Sequence, residues 1–278
     1  MIDQIMHYWI NRDSDVIRRR HMEQLFSLSN IPNERFRAVT PETLPNITID
    51  KRYQSSNNII EIAVIASHLH AIYKAYYNGY DHVVILEDDI SSNYIYDLNM
   101  ITRSAPRGWK ILQLHTHNTS LIDRYASLHF QLAIHWHNFD PNSWSSGAYL
   151  INREGMKQVL DALDVTERLG ERSFNLSNVH YFNKIVSDFV IFNSAPTYTC
   201  TLQLFTSIAS LDIVVMRKGN DNRKQRRIQA EKLIQAYQMK AEEHYNTLKK
   251  SHITREIPFP FAIHKLSTDV VNLRFNSA

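Results

Sequence analysis

The sequence predicts an α/β protein built on a mixed, mostly parallel central sheet, and three observations carry that expectation. Val83-Val84-Ile85-Leu86 is an apolar, mostly β-branched run, suited to a strand covered on both faces. Strand-like and helix-periodic segments alternate along the chain as far as Leu202. With 278 residues, 44% of them hydrophobic, the chain is long enough to bury one large core.

Ile5–Ile10 is apolar and aromatic and reads as the first strand. Asp13 or Ser14 is placed to cap a helix through Val16, Ile17, Met22, Leu25 and Phe26. Phe36–Val39 reads as a short second strand stopped by Thr40-Pro41, and residues 42–56 are polar and read as a loop. Ile62, Ile65, Leu69, Ile72, Tyr73 and Tyr76 recur at helical spacing, which predicts a helix over Ile59–Tyr77 ended by Asn78-Gly79. After the strand at Val83–Leu86, Lys110–Leu114 and Gly147–Ile151 are further strands and Arg153–Leu163 is helical. Phe189–Phe192 and Thr197–Leu202 are expected to be extended. Arg223-Lys224-Gln225-Arg226-Arg227 then opens a long helical pattern with Ala230, Ile234, Tyr237, Ala241, Tyr245 and Leu248 on one stripe. The expected organisation is a domain over 1–215 and a basic helical extension over 216–278.

Composition excludes several classes. The single cysteine, Cys200, allows no intramolecular disulfide and suits a reducing compartment. No apolar run approaches the ~20 residues of a membrane span, and the first residues lack the apolar stretch of a secretory leader. A cytoplasmic protein is expected, and the sequons at Asn46, Asn118 and Asn175 are read as chance matches. The six glycines form neither a GxGxxG nor a P-loop pattern, which argues against a Rossmann enzyme or a Walker ATPase. Residues 216–250 carry ten Lys/Arg against four Asp/Glu, while the remainder is acidic overall. Nucleic acid is therefore not an expected partner. The basic helix reads either as packed on the domain with a solvated face or as a contact with an anionic membrane surface.

The chemistry concentrates where the buried strand ends. Glu87-Asp88-Asp89 repel one another, so a fold holds them in water or beside a cation. Ligands of open α/β sheets gather at the carboxyl ends of strands, and carboxylates there can hold Mg²⁺ or Mn²⁺ with positions left for substrate phosphates. Glu87 and Asp89, two residues apart, share a direction on residual strand geometry, with Asp88 facing away. His115-Thr116-His117 and His135-Trp136-His137 have a spacing that zinc sites also use, but no Cys or carboxylate repeats the pattern beside them.

Several stretches, in order, resemble glycosyltransferase family 25, which includes lipooligosaccharide and collagen galactosyltransferases. They are Ile10-Asn11-Arg12-Asp13 with Arg18-Arg19 and Met22, Arg35-Phe36-Arg37-Ala38-Val39, Glu61-Ile62 with Ser67-His68, and Ile85-Leu86-Glu87-Asp88-Asp89. Ser145-Ser146-Gly147-Ala148-Tyr149-Leu150-Ile151 with Gly155, and Ser187-Asp188-Phe189, complete the set. Where the family commonly has Gly, Gly-Cys and Trp, this chain has Ile60, Ala63-Val64 and Phe189.

The resemblance implies a GT-A nucleotide-diphospho-sugar transferase fold. It implies transfer of a hexose, galactose or glucose, from a UDP-sugar to a glycan or glycoconjugate acceptor, metal-dependent and with inversion. Glu87 and Asp89 are then the expected ligands of Mn²⁺ or Mg²⁺, with Asp89 the direct one. Asn11, Arg12, Arg18, Ala38, Ser67, His68 and Asp88 are the expected donor-binding set. Asp188 is the expected general base, since direct displacement at the anomeric carbon needs the acceptor hydroxyl deprotonated. His115 is expected to border the acceptor pocket and is the second catalytic candidate. Two other readings stand beside this one. A metal-dependent phosphohydrolase or nucleotidyltransferase also places acids after a buried strand, and a catalytically degenerate GT-A fold would serve as a binding module.

Overall fold

A seven-stranded mixed sheet forms the centre of the protein, in a computed structural model that describes residues 5–27, 29, 31–48, 59–92, 94–168, 171–177, 185–211, 221–250 and 264–265. The chain opens with β1 (Met6–Asn11), α1 (Val16–Ser27), β2 (Asn33–Arg37), a 3₁₀ turn (Pro41–Thr43), β3 (Asn46–Thr48) and α2 (Ile59–Tyr77). Next come β4 (His82–Glu87), β5 (Ile90–Ser91), β6 (Tyr94–Ile95), α3 (Leu98–Ser104), β7 (Ile111–Gln113), α4 (Thr119–Leu132) and β8 (Trp136–Asn138). Then follow β9 (Ala148–Asn152), α5 (Arg153–Ala162), β10 (Thr166–Arg168), β11 (Glu171–Asn175), α6 (Ser187–Phe192) and β12 (Thr197–Cys200). The last elements are β13 (Thr206–Ser207), α7 (Asp221–Lys250) and β14 (His264–Lys265).

The main sheet has the order β2-β1-β4-β9-β7-β12-β8. β1 pairs in parallel with β2 and β4, and β7 with β12; β9 runs antiparallel to both β4 and β7, and β8 antiparallel to β12. The pairings divide evenly, which corrects the mostly parallel sheet expected above. Apolar runs such as Ala148–Ile151 record burial on both faces but not strand direction. Alternation then splits β4 between two cores. Val83 and Ile85 join α2, α5 and α6, while Val84 and Leu86 join α1, α3 and the Leu204-Phe205 segment. Ile65, Leu69 and Ile72 of α2 are fully buried, each stabilising by about 1.5–3 kcal/mol.

Three other expectations change. Phe189–Phe192 is helical, as part of α6, because four apolar residues are too few to display a period. α1 begins at Val16, so neither Asp13 nor Ser14 flanks it; the Asp13 carboxylate instead pairs with Arg35 and, at 2.7 Å, with Arg37. Residues 42–56 contain a short strand, β3, which pairs in parallel with β11.

α7 lies against α4, with Ala230 and Ile234 buried beside Ile122 and Ala241 buried beside Leu202. The stripe read from the sequence is therefore a packing face over these residues. The side chains of Arg223, Tyr245 and Leu248 lie outside the described residues. Among the described residues, no helix is long and apolar enough to cross a membrane.

Candidate active site

The topology gathers the site. β1, β2, β4, β7 and β12 run in one direction, so Asn11, Arg37, Glu87, Gln113 and Cys200 end at a single sheet edge, where antiparallel β9 begins at Ala148. The three acids at this edge meet different partners.

Glu87, with its side chain 35% exposed, accepts a 2.8 Å bond from Ser146 Oγ and lies 3.5 Å from His68 Nε2. Burial works to raise its pKa, but His68 and Ser146 hold it below the usual range. Asp88 is buried and accepts from Arg18 Nη1 at 2.8 Å and Asn11 Nδ2 at 2.7 Å. Burial pushes it up to about 6; Arg18 opposes that rise and the Asp89 charge adds to it. Asp89 is also buried, with Arg227 Nη2 2.5 Å from its Oδ2 and Arg18 Nη2 3.7 Å away. Burial again opposes ionisation, but the two guanidinium groups outweigh it and hold Asp89 well below the usual range. Asp88 meets Asn11 and Arg18, and Arg18 also reaches Asp89, so these two acids share a cation while Glu87 faces His68.

A second cluster adjoins the first. Ser146 Oγ is 2.6 Å from Ser187 Oγ, which joins the end of β4 to the start of α6. Asp188, one residue on, is buried and accepts from the backbone N–H groups of Ser145 and Phe189, each at 3.0 Å. Burial raises its pKa above the ordinary carboxylate value, against the pull of those two bonds, and the Glu87 charge reinforces the rise. Ser145 itself has φ 140°, an uncommon conformation for a non-glycine residue. Four interactions fix it there: its N–H on Asp188, its carbonyl on Gln113 Nε2 at 3.0 Å, and its Oγ on Gly147 N and His115 Nδ1, both at 2.9 Å. A Cβ on Gly147 would come within 2.8 Å of Ile90 Cδ1 and 2.9 Å of Ser145 Oγ, so a larger residue there would push on the side-chain ends that hold Ser145. His115 is fully buried, and burial lowers its pKa to about 4, so its imidazole is neutral at pH 7.

The expected donor-binding residues separate. Asn11, Arg18, His68 and Asp88 converge on the acidic edge. Arg12 is 43% exposed and pairs with Asp15 at 2.8 Å. Ser67 ties α2 to the chain after β2, accepting from Val39 N and donating to Ala63 O, both at 2.8 Å. Ala38 donates its N–H to Asn11 O at 3.0 Å. His115 and His117 lie beyond β7, with their rings in edge-to-face contact at 4.5 Å. His135 approaches His129, and His137 packs against Tyr125.

Five contributors are not singled out as site residues by the sequence. Arg35 Nε donates to Asn11 Oδ1 at 3.0 Å, and Tyr149 Oη lies 3.2 Å from His68 Nδ1. Ser145 and Ser146 carry the links just described, and their signal was the small-residue stretch before Gly147. Arg227 offered none, being one cation in a basic run. A cavity lined by Asn138, Phe139, Phe192, Pro196 and Tyr198 opens near the start of β12 and lies apart from this edge.

Buried acids and paired guanidinium groups thus lie at the edge of a mixed α/β sheet where parallel strands end, the place at which ligands of open α/β sheets gather. The family model described as glycosyltransferase family 25 (LPS biosynthesis protein) matches residues 4–169, and the chain belongs to that family. No curated protein matches the chain. Among solved structures it is similar to A197 from STIV, at 11% identity over 67% of this chain and 92% of that one. The TM-score of 0.31 is too low for that likeness to carry an argument.

Proposed function

We propose that this family 25 glycosyltransferase transfers a hexose, galactose or glucose, from a UDP-sugar to a glycan or glycoconjugate acceptor, with inversion, on a GT-A fold. The observation that carries this reading is the continuous link from Glu87 through Ser146 and Ser187 to Asp188. It sets a carboxylate of raised pKa beside the acidic edge, which is where this reading seats the sugar donor that a glycosyltransferase uses.

The donor set suits a divalent cation. Among the described residues, Glu87 Oε2 and Asp89 Oδ1 take no hydrogen bond, and no group of three or more His, Cys, Asp or Glu is arranged to hold a metal ion, so the protein's share would be these two carboxylates alone. Two carboxylates with open positions are the usual protein share of a Mg²⁺ or Mn²⁺ site completed by phosphates. Bound there, the cation would supply charge neutralisation for the departing diphosphate. The chain's own residues do the rest. Asn11 and Arg18 hold the acidic edge in register, and His68 with Ser146 orients Glu87. Asp188 accepts the acceptor hydroxyl's proton, for which a raised pKa is an advantage; each of its oxygens keeps a second lone pair beyond its backbone bond.

The test is a thermal-shift panel of nucleotide sugars with and without Mn²⁺, followed by transfer assays on the parent and Asp188→Asn. A UDP-hexose at 100 times its Kd should add about 2.7 kcal/mol of apparent stability, and more with Mn²⁺ than without. Asp188→Asn should then transfer about 10²–10⁴-fold more slowly at near-parental donor affinity. If no nucleotide sugar stabilises the protein, the reading is wrong. If the variant turns over at the parental rate, Asp188 is not the base and His115 is the next candidate.

A further inference from the structure

Two guanidinium groups converge on the acidic end of β4 from opposite ends of the chain. Arg18 comes from α1 and spans Asp88 and Asp89, with its Nε also donating to Leu211 O at 3.2 Å. Arg227 comes from α7, 138 residues from its partner Asp89. Their side chains are 18% and 17% exposed, so each is sunk in the protein yet open on one side. α7 is held in place along its length: Glu231 Oε2 accepts from Ala209 N at 3.2 Å, and Gln238 Nε2 donates to Gln203 O and Leu204 O at 2.9 and 3.1 Å. Tyr94 Oη donates to Glu242 Oε2 at 2.9 Å, and Tyr237 Oη to Asp123 Oδ1 at 2.8 Å. Arg227 is thus delivered to the site by a docked element.

We infer that Arg227 is a residue of the donor-diphosphate site, paired with Asp89 while no donor is bound and turning to the diphosphate when it arrives; the inference rests on the nucleotide-sugar reading above. Charge balance gives the reason. Arg18 and Arg227 set two positive charges against the three carboxylates of β4's end. A diphosphate brings its own negative charge, which a guanidinium already at this edge can meet, and Asp89 with Glu87 would be the residues left to hold a cation. The planar fork of a guanidinium accommodates phosphate oxygens two at a time. A reorientation at the tip of one side chain is enough for Arg227 to exchange one anionic partner for another. The first turns of the C-terminal helix then belong to the active site.

The experiment compares UDP and uridine binding by calorimetry on the full-length parent, Arg227→Gln, Arg227→Lys and Arg226→Gln. Arg226 is exposed on the same helix and controls for net charge. Loss of a charge-assisted contact should weaken UDP about 10–100-fold in Arg227→Gln, with uridine binding unchanged and Arg226→Gln like the parent. Arg227→Lys keeps a cation for Asp89 but not the fork, and should weaken UDP severalfold, so the test survives if the Gln variant fails to fold. A ratio of UDP to uridine affinity unchanged in either Arg227 variant overturns the inference and leaves the donor reading intact. A parent that binds neither UDP nor inorganic pyrophosphate overturns both.

Discussion

Asp88 and Asp89 are neighbours in sequence and both buried, yet their ionisation is driven in opposite directions. The difference lies in the cations that reach them: Asp89 is met by Arg227 and Arg18, whereas Asp88 has Arg18 and a neutral amide against its burial. The signs follow from proton binding. Asp89, depressed when folded, stabilises the protein above its unfolded pKa, and that contribution is lost as pH falls below about 4. Asp88, raised from 3.8 to about 6, binds its proton more tightly when folded, so stability falls as pH rises between those values. Asp88→Asn cannot titrate. The stability of Asp88→Asn relative to the parent should therefore rise by about 2.4 kcal/mol from pH 4 to pH 7, at 1.36 kcal/mol per pKa unit. Urea midpoints at the two pH values measure this independently of any constant offset from the altered Arg18 contact. Parallel pH dependence in the two proteins would show that Asp88 does not take up a proton in that range.

At the scale of elements, legibility followed the length of the signal. α2 was read to its terminal residues because nineteen residues of helical period end at Asn78 and Gly79, whose φ of +82° suits a glycine. β3 and α6 were misread because three and six residues carry too little pattern, and β3 exists only through its pairing with β11. α7 was read as a helix with an apolar stripe, but the stripe could not say what it packs on. The answer makes the helix testable as part of the protein. Ile234 is 1% exposed between α7 and Ile122 of α4. Ile234→Ala should cost about 2–4 kcal/mol in urea unfolding, as cavity-forming substitutions of buried aliphatic residues do. An undocked helix would show a change within about 0.5 kcal/mol. Of the opening basic run, Arg227 is turned inward, and among its described side chains Lys224 and exposed Arg226 remain for a face toward anionic membranes.

At the scale of the whole molecule, the site depends on what no local pattern encodes. The acidic run at 87–89 and the small residues at 145–147 were visible as segments, but their meeting is a consequence of strand order, with β9 inserted between β4 and β7. Asp188 and Arg227 lie beyond residues 4–169, the span matched by the family model, and reach the edge only through α6 and α7. Donor binding should therefore register at distant points of the chain at once. Hydrogen exchange with and without a UDP-sugar and Mn²⁺ measures this, because local opening free energies rise where a ligand binds only the closed form. Protection should increase together in the amides of 86–91, of 145–148 and of α7 from Lys224 to Gln238. Asn138 and Tyr198, paired near the start of β12 at the other end of the sheet, should exchange as before. A rise confined to 86–91 would mean that α7 packs on the domain without taking part in donor binding. A rise at 86–91 and 145–148 with none in α7 would keep the acceptor-side cluster in the site and remove Arg227 from it.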